Sequence, residues 1–277
     1  MDTQTITATT GLGQRSSRLL TSLAGQDKIV FSTEEAHQTL GGSRAATYKL
    51  LHDLVRRGWL QSLDKGQYLI IPLDAGPERW YTIHGFVIAH HLAPEGYIAY
   101  WTALHYHGLT EHVPSTIWVA TPRRRRGRTI NGVAYTFVTL RPHKVFGQQR
   151  VWIEGHAVSL ASLEKSLVDA LDHPAHCGGM AEVAKALSAA LTERGVALER
   201  LTDYAAQMGN RAIIKRLGYL CERLELAVGD AAGLWQSLLS SGYSRLDPDR
   251  PATGAYDHRW RLRINLSDGE LTGWMEG

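Results

Sequence analysis

The chain has 277 residues, of which 44% are hydrophobic and 21% charged, with a formal net charge of +3. A chain this long buries enough surface to fold without disulfide or metal staples, and its composition is not that of a disordered segment. It lacks the run of about 18 apolar residues that a membrane span needs. Residues 1–14 carry neither a basic start nor an apolar stretch, so the expectation is a flexible N-terminus with no secretory leader and a cytoplasmic address. The two cysteines, Cys177 and Cys221, have no metal or redox spacing and are expected to be reduced, structural thiols. The charge is uneven: Lys and Arg outnumber Asp and Glu 9 to 8 in residues 1–80 and 8 to 3 in 81–160, and are outnumbered 13 to 16 in 161–277.

Residues 15–24 place Leu19, Leu20 and Leu23 at helical spacing. Ser32-Thr-Glu-Glu35 is a capping box that predicts a helix to Leu40. Gly41-Gly42 permits a tight turn, after which Ser43 caps a longer helix ending before Gly58. In that helix Thr47, Leu50, Leu51 and Leu54 share one side, while Arg44, Tyr48, Lys49, His52 and Arg56 share the other. Two short strands around Asp64-Lys65-Gly66 follow. Helix, glycine turn, helix and hairpin are the signature of a winged helix-turn-helix over residues 15–74.

Such a helix fits the major groove of B-DNA, which places Arg44 and Tyr48 nearest the bases, with the capping Ser43 a further DNA-binding candidate. Lys49, Arg56 and the wing residue Lys65 are then candidates for phosphate contact, and His52 is either a further DNA-binding residue or simply an exposed helix position. Protein docking or dimerisation is the alternative use of the same fold.

Pro72-Leu-Asp-Ala-Gly-Pro77 reads as a linker, which places the second domain at 75–277. There, Ile98, Trp101, Leu104 and His105 predict a helix ending at Gly108. Thr116–Ala120, the alternating Val133, Tyr135 and Phe137, and Val151–Ile153 predict a small antiparallel sheet. Ser159 is expected to start a helix carrying Leu160, Leu163, Leu167 and Leu171, and further helices are expected near 180–192, 197–208 and 210–226. The fold class is therefore α+β, a winged helix followed by a mixed α/β domain.

Two basic features stand out in this second domain. Arg123, Arg124, Arg125, Arg126 and Arg128 follow an apolar strand and form either a phosphate-contacting loop or a solvated tip that blocks edge pairing. Arg259, Arg261 and Arg263 alternate with apolar residues up to Leu266 and predict a strand with three guanidiniums on one face. That face would meet phosphates or an acidic surface, or pair with Asp247, Asp249 or Asp257.

The six histidines between His84 and His112 lack a ligand spacing, and Glu164-Lys165 lies on a leucine-periodic helix and reads as surface charge. No phosphate loop, dinucleotide fingerprint or nucleophile motif is present, so no catalysis, cofactor or metal is expected.

The segments LLHDLVRRGWL, GYIAYWTALHYHGLTEHVP, STIWVATPRRRRG, ASLEKSLVDALDHPAHCGG, KRLGYLCERL and LDPDRPATGAYDHRWRLRIN, spread over residues 15–270, resemble the AbiEi-type antitoxins of bacterial abortive-infection toxin-antitoxin systems. The resemblance implies a protein that represses its own operon by binding repeats in double-stranded DNA, and the helix-turn-helix pattern itself predicts dimeric occupancy of two half-sites. It also implies a neighbouring nucleotidyltransferase toxin that is countered in some members without a stable complex. Carried over by position, Ser43–Arg57 would be the recognition helix and Trp59–Ile71 the wing. The alternative from a different class is a stand-alone regulator whose Tyr97–His112 stretch lines a ligand pocket.

Overall fold

The computed structural model describes residues 12–72 and 83–275 and divides the chain into two compact units between Ile83 and His84. The sequence boundary at 74/75 and most of the proline-rich linker lie outside the described residues.

The first unit runs α1 (Gln14–Ala24), β1 (Val30–Ser32), α2 (Thr33–Leu40), α3 (Arg44–Arg56), β2 (Leu60–Asp64) and β3 (Gln67–Ile70). Local chemistry sets its helix boundaries. Ser32 accepts from the Glu35 N–H while the Glu35 carboxylate accepts from the Ser32 N–H, closing the predicted capping box. Ser43 caps α3 through the Ala46 N–H. The β2–β3 hairpin turns at Lys65-Gly66, and β3 also pairs with β1, giving an antiparallel sheet of order β1-β3-β2. The third strand was not anticipated. Its two apolar residues, Val30 and Phe31, are too few to show a period and are placed by pairing with Leu69 and Tyr68. Leu19, Leu23, Phe31, Leu51, Leu54 and Trp59 form the core of this unit.

The second unit begins with α4 (Gly85–Leu92), β4 (Tyr97–Ile98), α5 (Tyr100–Tyr106), β5 (Thr116–Thr121), β6 (Arg128–Ile130), β7 (Val133–Thr139), β8 (Gln148–Ile153) and β9 (His156–Ala161). Helices α6 (Leu163–Asp172), α7 (Met180–Glu193), α8 (Leu198–Gln207), α9 (Arg211–Arg223) and α10 (Ala231–Ser237) follow. The chain closes with β10 (Ser244–Arg245), β11 (Ala255–Asp257), β12 (Leu262–Ile264) and α11 (Asp268–Thr272). The large sheet has the order β6-β7-β5-β4-β9-β8. It is mixed rather than antiparallel, because β5 runs parallel to β7 and β4 parallel to β9. One face, with Ile117 and Tyr135, receives Gly85 at the start of α4. The other, with Tyr97, Ala120 and Ala161, packs against the core residues of α6 to α9. Mixed helices and sheets confirm the α+β class.

Three expected boundaries move for one reason, namely that long-range pairing outranks local periodicity. Ile98 belongs to β4, because it pairs with both Val119 and Leu160, and the helix starts only at Tyr100, whose φ is 53°. Leu160 is likewise in β9, and the cap of α6 is Ser162 rather than Ser159. The alternating Arg259–Leu266 segment is not one strand. Residues 258–261 turn, Arg261 has a φ of 53°, and only Leu262–Ile264 pair. The buried Trp260 causes this: its ring lies against Gly218 of α9 and its indole N–H donates to Glu222 at 2.5 Å, which pins the turn to the helix.

Candidate nucleic-acid interface

Helix α3 sorts its side chains as its spacing dictates. Thr47, Leu51 and Leu54 are buried, whereas Arg44, Tyr48, Lys49, His52 and Arg56 are all exposed, with Tyr48 53% accessible. Ser43 is exposed too, but its hydroxyl is occupied by the cap. Arg44 meets Glu34 at 2.8 Å and Arg56 meets Asp53 at 3.3 Å. Exposed pairs of this kind hold their guanidiniums only weakly, so a phosphate or base edge can compete for them. Lys65 is exposed at the hairpin turn. The structure therefore brings the α3 candidates onto one continuous polar face.

The arginine run is less uniform than the sequence suggests. Arg123, Arg124 and Arg126 are exposed in the loop after β5. Arg125 instead turns to Glu95, which it grips with three contacts of 2.8, 3.0 and 3.3 Å. Burial opposes ionisation of Glu95, but Arg125 outweighs it and holds the carboxyl below its ordinary value. Arg128 is half-buried and opens β6, so it is not a loop residue. The three C-terminal arginines do not form a row on one sheet face. Arg259 pairs with Glu222 at 3.1 Å, Arg261 donates to the Ser240 carbonyl at 3.0 Å, and Arg263 lies 5.2 Å over the Tyr256 ring. None of them pairs with Asp247, Asp249 or Asp257 among the described residues.

The largest departure concerns Glu164-Lys165. Both are buried, and the reading as surface charge is overturned. Helix α6 is enclosed on every side, with each residue from Glu164 to Asp172 buried. Lys165 is ion-paired with Asp169 one turn on, its Nζ lies 4.7 Å from the Phe146 ring, and Asp169 also accepts from the Tyr97 hydroxyl at 3.0 Å. An i,i+4 Lys–Asp pair was visible in the sequence, but on a leucine-periodic helix it carries no sign of depth.

Next to this pair, Asp172 accepts from Lys144 and Asn210, each at 2.7 Å. Burial opposes its ionisation, yet Lys144, Asn210 and His173 outweigh that and hold its pKa below the ordinary 3.8. A depressed carboxyl contributes stability that is present above its unfolded pKa and lost as pH falls through the folded one. The second unit is therefore expected to lose stability steadily below about pH 4. Asp172→Asn should lower the urea midpoint at pH 7 and make that acid loss shallower. An acid limb of unchanged steepness in the variant would refute the role of Asp172.

The first half of the Tyr97–His112 stretch joins the core, whereas Tyr106 and His112 are exposed. Tyr97, Tyr100 and Leu104 are fully buried, and the Tyr100 ring packs edge-on against Trp118, His173 and His176. Both thiols are buried and free. Burial pushes Cys221 up to about 12 and Cys177 well above its ordinary value, which keeps both in the unreactive thiol form. Among the described residues no group of three or more His, Cys, Asp or Glu converges as a metal site would require. Among the same residues no helix is long and apolar enough to cross a membrane.

Fold and surface thus define a two-unit α+β protein in which a small unit presents a polar helix and a larger one encloses paired charges. Residues 97–223 match the family model of the AbiEi antitoxin C-terminal domain. That span, within the larger unit, is accordingly similar to the AbiEi-type antitoxin C-terminal domain, the family the sequence motifs resemble. The structure is also similar to a crystal structure of the RV2827C protein from Mycobacterium tuberculosis. That similarity has a TM-score of 0.57 and 17% identity and covers 96% of each chain, a likeness of fold alone. No curated protein matches the chain.

Proposed function

We propose that this protein is the DNA-binding antitoxin of a toxin-antitoxin operon, which represses its own promoter and counters a nucleotidyltransferase toxin in the cytoplasm. The carrying observation is the α3 face: five polar or basic side chains, all exposed, on a helix held by a glycine turn at one end and a hairpin at the other. This is the layout of a winged helix-turn-helix, whose second helix enters the major groove. In this reading Arg44 and Tyr48 read bases, Ser43 starts the helix at the groove, and Lys49, His52, Arg56 and Lys65 meet phosphates. The exposed Arg123, Arg124 and Arg126 add charge on the second unit, whereas Arg125 is committed to Glu95. The antitoxin domain supports the toxin partner, and no catalytic step or cofactor enters the scheme.

Footprinting of the DNA upstream of the gene tests the repressor role. Two protected half-sites about one helical turn apart are expected, reflecting dimeric occupancy. Protection of a single half-site would contradict that occupancy, and unprotected DNA would contradict repression by contact.

A further inference from the structure

The small C-terminal sheet has an outer face that the spacing of its arginines concealed. Register sets Arg263 of β12 opposite Arg245 of β10 on one side and opposite Tyr256 of β11 on the other, so the three form a row across the sheet. The opposite face turns Leu246 and Leu262 into the core, both fully buried. Beside the row, the Tyr243 ring meets Tyr256 edge to face at 4.8 Å, and its hydroxyl lies 2.6 Å from His258 Nδ1. Both tyrosines are about half exposed, at 46% and 51%.

The charge of this face is unbalanced. Like charges directly opposite each other across a sheet are destabilising, yet Arg245 faces Arg263, and among the described residues neither they nor Arg261 has a carboxylate partner. Nearby acids are engaged elsewhere: Glu222 holds Arg259 and Trp260, Asp257 accepts from the Trp260 N–H, and Asp247 and Glu270 hold Arg250. Two further cations from α9 lie beneath β10, where Lys215 donates to the Gly242 carbonyl and Arg216 donates to the Arg245 carbonyl at 3.2 Å. Burial lowers the pKa of Lys215, and the neighbouring Arg261 lowers it further. Asp172, Asp247 and Asp249 act on Arg216, so the unpaired charge is that of Arg245, Arg261 and Arg263, and a cationic group of this kind is suited to an external polyanion.

The aromatic rings narrow the choice of polyanion. In a duplex the base faces are covered by their neighbours, so exposed rings gain little there, whereas unpaired bases stack on such rings readily. We propose that this face binds single-stranded nucleic acid. Tyr243 and Tyr256 stack successive unpaired bases, and Arg245, Arg261 and Arg263 pair the intervening phosphates. The site is separate from α3 and does not depend on duplex binding by that helix.

The test uses the full chain with fluorescein-labelled oligouridylate and oligothymidylate of about twelve nucleotides, within the span one such surface covers, beside a blunt duplex of equal length. Anisotropy is expected to show both single strands bound more tightly than the non-cognate duplex. Tyr243→Ala and Tyr256→Ala should each weaken single-strand binding roughly 5- to 150-fold, with Tyr256→Phe close to the parent. Arg263→Gln should reduce the salt slope by about 0.7. Because both rings are half exposed, the alanine variants are expected to keep the parent's thermal midpoint. The proposal is overturned if the full chain binds neither single strand, or if Tyr256→Ala and Tyr256→Phe both bind as the parent does. It is equally overturned if the tyrosine variants weaken duplex and single strand alike, which would make the face a general phosphate surface.

Discussion

Lys165→Ala is expected to cost the second unit about 3–5 kcal/mol, the range found when one partner of a buried ion pair is removed. Lys165 and Asp169 are both 0% exposed, so no water can replace the lost ammonium. The variant leaves the Asp169 carboxylate with the Tyr97 hydroxyl as its remaining partner. In the parent, burial already pushes the Asp169 pKa up despite the opposing pull of Lys165 and Tyr97. Without Lys165 it rises further, so the carboxyl is protonated in the folded unit over a wider pH range. A group whose folded pKa is raised in this way destabilises at pH above it, and the deficit shrinks as pH falls toward the unfolded value. Urea unfolding should thus show the variant closest to the parent in acid. The pair need not be a net stabiliser against apolar replacement: Lys165→Met with Asp169→Leu is expected to recover most of the loss. A single Lys165→Ala variant within about 1 kcal/mol of the parent at pH 7, well short of the buried-pair range, would show that the charges are not buried as described.

The second large effect is expected at Gly218. A glycine inside a helix usually gains about 1 kcal/mol on replacement by alanine, but here a Cβ would lie 2.0 Å from the Trp260 ring, a distance no packing tolerates. Overpacking by one methyl group costs typically 1–3 kcal/mol, and Trp260, fully buried and bonded to Glu222, has little freedom to retreat. Gly218→Ala should therefore destabilise. Trp260→Ala alone should cost about 3–5 kcal/mol through its cavity. Combined, the two changes should be less harmful than their sum, since the clash disappears with the ring. Strict additivity in a thermal or urea series would refute the contact. The consequence reaches function, because the turn pinned by Trp260 carries Arg259 and Arg261.

The parts of the protein legible in its sequence are those fixed by local chemistry. Ser32 with Glu35, Ser43, and the glycines at 41, 42 and 66 set helix starts and a turn without reference to distant residues, and α3 shows its polar face because its period is solvated on one side. The two-residue strand β4 has no readable period, although it sits mid-sheet between β5 and β9. Glu164 and Lys165 read as surface charge because a charged pair on a leucine-rich helix looks the same at the surface and in the interior until helices α8 and α9 close over it. The alternation from Arg259 to Leu266 was real, but the positive φ at Arg261 breaks it, and a non-glycine residue gives no warning of that. The partner of Arg263 proved to be Arg245, eighteen residues earlier, which only the strand register discloses.

The central claim is that α3 reads a DNA sequence. Its most direct test is fluorescence anisotropy of the full chain on a duplex from its own upstream region and on a scrambled duplex of equal length, across a salt series, with Arg44→Ala in parallel. The account predicts a Kd of about 10⁻⁸ M or tighter for the upstream duplex, at least about a thousandfold better than for the scrambled one. Arg44→Ala should lose roughly 5- to 150-fold on the upstream duplex and narrow that preference. Equal binding to both duplexes, or an Arg44→Ala protein with its preference undiminished, would contradict it.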